Sequence, residues 1–226
     1  MQNICSDHNP YVVRTTADNA VGQAARIFIR QVNEDGITFS INAPITKILS
    51  ADKQLERNVV EGAWIIFKDP FYYLFYSGHG YLSPGYYTGV ARSFSVTGPY
   101  EKQEVGKKDV FLHTDWEKFN SGKNSTFVGP GHGSAVSVGE DWWFVYHSWR
   151  FDQVGKYPPG RVLLLDKIVW DDKTNWPHIG TPSVYRSQAP ECLTSKNRTL
   201  YILVVMFIFR RSKQILLYKS LGEGII

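Results

Sequence analysis

The sequence predicts an all-β fold, and three observations carry that prediction. Short segments rich in β-branched and aromatic residues recur along the chain, separated by clusters of Gly, Pro, Asn and Asp. None of them has the i, i+3, i+4 spacing of a long amphipathic helix. Two regions also share one layout: a small-residue turn, a strand, a short charged turn, then an aromatic strand ending in Tyr plus a polar residue. They are Glu61 to Ser77 and Gly131 to His147, about 70 residues apart. Such a repeat suits propeller blades made of antiparallel hairpins, although it does not by itself separate a propeller from a sandwich.

The predicted strands, in chain order, are Tyr11 to Val13, Arg26 to Val32, Trp64 to Lys68, Tyr72 to Tyr76, Tyr86 to Ala91, Gly133 to Val138, Trp142 to His147 and Arg161 to Trp170. Glu101 to Ser125, rich in Lys, Asp and Asn, reads as a long loop between blades. Beyond Pro182 the rhythm stops. This divides the chain into a domain over residues 1–186 and an atypical C-terminal tail over 187–226.

Composition bounds the function. The chain has 226 residues, 20% charged and 43% hydrophobic, enough for one sizeable core. Aromatic residues make up 15%, with seven Trp and thirteen Tyr, more than packing needs and suited to stacking on sugar or base faces. The net charge of +4 is mild and partly due to Arg210, Arg211, Lys213 and Lys219 in the tail, so nucleic acid is not an expected partner. Cys5 and Cys192, near opposite ends, define neither a disulfide framework nor a metal spacing. Met1 to Pro10 lacks the apolar segment of a signal peptide. Leu200 to Phe209 is about half of the roughly 20 residues a membrane helix requires, so no membrane span is expected. The sequons at Asn124 and Asn197 permit a secreted glycoprotein.

Few residues suggest chemistry. Glu61 stands between Val59-Val60 and Gly62-Ala63-Trp64. A carboxyl buried beside Trp has its charged form disfavoured, the condition for a general acid at neutral pH, whereas an exposed strand-end Glu does nothing. His132 lies in Gly129-Pro130-Gly131-His132-Gly133, read as a tight turn that presents one imidazole as a metal ligand or hydrogen-bond donor, or else simply packs it. Arg161 follows Tyr157-Pro158-Pro159-Gly160 and starts an apolar strand. Its guanidinium is placed to fork onto vicinal hydroxyls or a carboxylate, or to be a solvated cation. Trp64, Trp142, Trp143 and Trp149 are candidate sugar platforms, some of which strand alternation must turn into the core. There is no Gly-x-Ser-x-Gly elbow, phosphate loop or Cys-x-x-Cys.

In order, Val60-Glu61-Gly62-Ala63-Trp64, Tyr72-Tyr73-Leu74-Phe75-Tyr76-Ser77, Gly89-Val90-Ala91-Arg92-Ser93, Thr97-Gly98-Pro99-Tyr100, Gly129-Pro130-Gly131-His132-Gly133-Ser134, Tyr146-His147-Ser148-Trp149, Gly160-Arg161 and Trp176-Pro177 resemble glycoside hydrolase family 43. The resemblance covers about residues 11 to 185. It implies a five-bladed β-propeller, of which this chain holds about the last three blades, and inverting hydrolysis of arabinose- or xylose-containing plant-type polysaccharides or oligosaccharides. By that resemblance Glu61 is the general acid, with Ala63 in place of the family's usual Pro. Arg161, His132 and Trp64 are substrate-binding residues. His132 is the central-channel histidine beside a calcium or sodium ion, and no cofactor is required for the reaction. Asp7 to Val13 looks like the turn and strand that follow the family's pKa-tuning Asp. That places this Asp and the general base before Met1 and assigns neither role to Asp7 or Asp18. The expectation is therefore an incomplete chain lacking its general base, extracellular in its complete form. The alternative is a non-catalytic carbohydrate-binding or decayed propeller remnant.

Overall fold

The computed structural model describes residues 2–6, 9–104, 110–121 and 127–184, all within one compact unit. The tail, Leu200 to Phe209 and Asp7 lie outside the described residues. The chain is all-β as predicted. Among the described residues the strands are β1 (Gln2–Ser6), β2 (Asn9–Thr15), β3 (Arg26–Gln31), β4 (Thr46–Ser50), β5 (Val60–Lys68), β6 (Phe71–Gly78), β7 (Tyr87–Ser93), β8 (Glu101–Lys102), β9 (Phe127–Val138), β10 (Asp141–Arg150), β11 (Val162–Lys167), β12 (Val169–Trp170) and β13 (Pro177–His178). The one α-helix among them is α1 (Trp116–Asn120), capped by the Asp115 carboxylate, which accepts from the Lys118 N–H. No helix there is long and apolar enough to cross a membrane.

The strands form sheets in sequence order: β1-β2-β3-β4, β5-β6-β7-β8, β9-β10-β11 and the two-stranded β12-β13, all antiparallel and none closing on itself. The middle sheet explains why its sequence is the most apolar. Successive strand side chains point to opposite faces, and here both faces are covered. Leu74 and Tyr76 of β6 join Ile65, Ala91 and the first-sheet residues Val13, Ile27, Ile29 and Leu49 in one core. Tyr73 and Phe75 join Ile66, Val90 and the third-sheet residues Ala135, Phe144 and Tyr146 in the other. A strand buried on both sides has no polar face to alternate with, hence the unbroken run Phe71 to Tyr76.

Three expectations are corrected. The stretch read as an inter-blade loop contains β8 and α1, and its Phe111 and Leu112 are fully buried, with Leu112 bridging Thr88 of β7. Arg161 to Trp170 is two strands that break at Ile168, whose side chain enters the second core. Gly129 to Gly133 is no turn. It lies inside the long strand β9, where Gly129 (φ +59°) and His132 (φ +54°) fall at two successive irregularities of register against β10.

Candidate active site

Two irregular strand segments, on β5 and β9, meet where sheets two and three abut. On β5 the register slips between Glu61, opposite Ser77, and Trp64, opposite Phe75, which leaves Gly62 and Ala63 as a bulge. Gly62 sits at φ +60°, and a Cβ there would lie 3.1 Å from the His132 backbone and ring. Glycine thus lets β5 and β9 touch. From β6, Ser77 Oγ accepts the His132 N–H at 2.7 Å, so the positive-φ histidine is tied by its own backbone. A Cβ on Gly131 would fall 2.2 Å from Tyr86 Cε1, so that glycine makes room for the phenol ring.

Tyr86, fully buried, donates its hydroxyl to Glu61 Oε1 at 2.7 Å. Burial, and next the charge of Glu61, hold this phenol well above its ordinary range, so it remains a protonated donor. Among the described residues Glu61 is the one carboxylate whose charge acts on Tyr86, His132 or His147. The rings of His132 and His147 are 6.1 Å apart. Burial lowers the pKa of His132, Arg161 lowers it further, and Glu61 opposes both. His147 is brought down to about 4 by burial, then by Arg161 and His132. Both imidazoles are therefore neutral at pH 7.

Arg161, at the start of β11, acts electrostatically on Tyr86 and both histidines, and its guanidinium stacks 5.4 Å over the Tyr81 ring. Arg161 Nη1 and His147 Nδ1 are both buried and without a hydrogen-bond partner in the protein. A buried donor left unmade costs free energy, so such atoms at the wall of a site are what an incoming hydroxyl satisfies.

The fold thus brings Glu61, His132 and Arg161 together. It commits Trp64 elsewhere, because the indole Nε1 donates to Ala135 O at 3.0 Å and the ring packs on the second core. The bulge at Gly62-Ala63 puts Trp64 on the same face of the sheet as Glu61 but opposite Phe75, further along toward the second core. Trp142 also packs on that core, Trp143 is buried, and Trp149 is fully buried. Tyr86 and His147 are additions that sequence reasoning missed. A polar residue in an otherwise aromatic strand was the available signal for His147; nothing local marks Tyr86. Asp18 stands apart, paired with Arg26 at 2.8 Å and accepting from Thr16, which together keep its carboxyl below the usual range.

The electrostatics are testable directly. In Arg161→Ala the pKa of His132 and of His147, followed by NMR of the ring protons, both rise, because a lowering charge is removed. In Glu61→Gln that of His132 falls instead. Unmoved titrations in both variants contradict the cluster.

Structural comparison gives the same architecture in proteins of low sequence identity. An endo-1,4-beta-xylanase from Bacteroides thetaiotaomicron is 21% identical with a TM-score of 0.62, covering 78% of this chain and 56% of its own. An alpha-L-arabinofuranosidase from Lactobacillus brevis is 19% identical with a TM-score of 0.66, covering 83% and 57%. A Cellvibrio cellulosa alpha-L-arabinanase complexed with arabinohexaose is 21% identical with a TM-score of 0.56, covering 78% and 55%. The chain therefore spans a little over half the length of each of these relatives. The model of the glycosyl hydrolases family 43 matches residues 4–177, a span that takes in β2 to β12 and every residue of the cluster, and on that match the chain belongs to this family.

Proposed function

We propose that this chain carries the proton-donating side of a glycoside hydrolase site that cleaves O-glycosidic bonds of arabinose- or xylose-containing polysaccharides with inversion. One observation carries the reading: the family's Glu, His and Arg positions converge, and Tyr86 joins them on the carboxyl of Glu61. The xylanase, arabinofuranosidase and arabinanase named above supply the pentose specificity by analogy.

In this reading the Tyr86 hydroxyl occupies Glu61 Oε1, so the proton for the departing glycosidic oxygen sits on the other carboxyl oxygen. Arg161 Nη1 and His147 Nδ1 meet sugar hydroxyls. Inversion places acid and base about 6.5–9.5 Å apart with a water between them. The described residues supply the acid and no second carboxylate to the cluster. That observation favours a second reading, a non-catalytic sugar-binding module. The successive antiparallel sheets read as three blades of a five-bladed propeller, a share close to the fraction of the relatives' length that the chain spans.

No cofactor enters this chemistry. Calcium takes about six to eight oxygen ligands. Among the described residues no group of three or more His, Cys, Asp or Glu could hold a metal. A calcium or sodium ion beside His132 would thus be held by carbonyl oxygens and water rather than by a cluster of such side chains. A polysaccharide substrate fits an extracellular setting.

Titration of the protein with arabino- and xylo-oligosaccharides tests the reading. Binding of one series is expected, weakened about 10-fold or more in Arg161→Ala because a charge-assisted hydrogen bond is lost. Asp18→Asn, in the β2–β3 connection, leaves it unchanged. No saccharide binding, or binding indifferent to Arg161, contradicts the proposal.

A further inference from the structure

Next to Arg161 the surface carries two tyrosines that are exposed and yet held in place. Tyr157 is 62% exposed and Tyr81 46%. Exposed aromatic side chains are ordinarily free to change rotamer. These two share one buried anchor. Trp149, fully buried, meets the Tyr157 ring edge-on at 5.2 Å and 77°, and its Nε1 donates to Tyr81 O at 2.7 Å.

The loops carrying them are fixed as well. In the β10–β11 connection, Gly160 (φ +78°) backs onto Tyr157, and a Cβ there would fall 2.9 Å from the ring. Pro158 and Pro159 restrict φ between them, and the Gly160 N–H returns to Lys156 O at 3.1 Å. In the β6–β7 connection, Ser83 and Tyr86 close turns onto Gly80 O and Ser83 O, and Thr114 Oγ1 holds Pro84 O. That same loop ends in Tyr86, the partner of Glu61, and Arg161 lies over the Tyr81 ring. The two rings are thus continuous with the candidate site through Arg161 on one side and Tyr86 on the other.

We propose that Tyr157 and Tyr81 form an aromatic wall that binds a second sugar ring of an oligosaccharide, next to the unit held at Glu61 and Arg161. The inference rests on the glycosidase reading of that site and adds to it a specificity: preference for chains over single sugars. A ring held from behind presents its open face without losing rotamer freedom on binding, which is how aromatic contacts gain affinity at low cost. Tyr157, the more exposed of the two, supplies the stacking face; Tyr81, with Arg161 over its ring, supplies the side of the wall nearest the site.

The test compares the affinity of the full chain for xylose, xylobiose and xylotriose, and for the matching arabinose series. In the intact protein the disaccharide of the preferred series binds more tightly than the monosaccharide. Tyr157→Ala lowers disaccharide affinity about 3- to 10-fold, the scale of an aromatic face contact, and leaves monosaccharide affinity unchanged. Tyr157→Phe, which keeps the ring and loses only the hydroxyl, retains the disaccharide preference. Monosaccharide and disaccharide bound equally well by the intact chain, or a disaccharide preference that survives Tyr157→Ala, overturns the wall and leaves the site at Glu61 standing. Loss of all binding in Arg161→Ala alongside an unmoved Tyr157→Ala separates the two in the same way. An intact chain that binds neither series overturns both.

Discussion

Lys102→Met lowers the stability of the protein by about 3–5 kcal/mol, the typical cost of stripping a buried charge of its partner. Glu56 is fully buried, and the Lys102 side chain is only 8% exposed. The ammonium donates to Glu56 Oε1, Asp52 Oδ1 and Ser50 O, each at 2.6 Å. With methionine in place of the ammonium, Glu56 keeps the N–H groups of Asp52 and Lys53 on Oε2 but loses its opposite charge. Asp52, 64% exposed, regains water and adds little.

The network also positions the site. Lys102 belongs to the second sheet and Ser50 to the first, so the ammonium ties the two together. Glu56 O receives the N–H groups of Val59 and His79, which fix the start of β5 and the end of β6 on either side of Glu61 and Ser77. Urea denaturation checks this: the midpoint falls while the slope is unchanged, and Lys102→Met with Glu56→Gln together costs less than the sum of the two. A loss below about 1 kcal/mol contradicts the assignment of this pair as buried and mutually compensating.

What could be read from the sequence follows from what local pattern can encode. The strands of the middle sheet are legible because burial on two faces leaves an unbroken aromatic run, as in Phe71 to Tyr76. Thr46 to Ser50 passes unnoticed because only Ile48 and Leu49 are buried there, against residues far along the chain. Val110 to Leu112 is hidden by polar neighbours, although Thr88 and Gly180 bond to it from distant segments. Glu61, His132 and Arg161 are identifiable as a set through their motifs, since each taken alone admits a bland reading. Their convergence depends on bulges at Gly62, Gly129 and His132, which composition does not announce. The bulge on β5 sets Trp64 opposite Phe75 of the second core, and the irregularities of β9 accommodate His132 at positive φ within a strand.

If Glu61 donates a proton to a departing sugar oxygen, as proposed, substituting it removes about 10²–10⁴-fold in rate wherever that proton is needed. Because the described residues offer no base, water-dependent turnover is expected near background. An added nucleophile takes the place of activated water: azide attacks the anomeric carbon, the C–O bond to the leaving group breaks, and an inverted glycosyl azide forms. Phenolate leaves poorly and requires protonation, whereas 2,4-dinitrophenolate leaves without it. The decisive measurement is therefore azide-dependent turnover of phenyl and 2,4-dinitrophenyl glycosides of xylose and arabinose by the intact chain and by Glu61→Gln. We expect azide to raise turnover of both substrates in the intact chain, and Glu61→Gln to lose the phenyl reaction by that factor while nearly keeping the dinitrophenyl one. Equal loss on both leaving groups, or no azide-dependent turnover on either, contradicts a proton-donating role for Glu61.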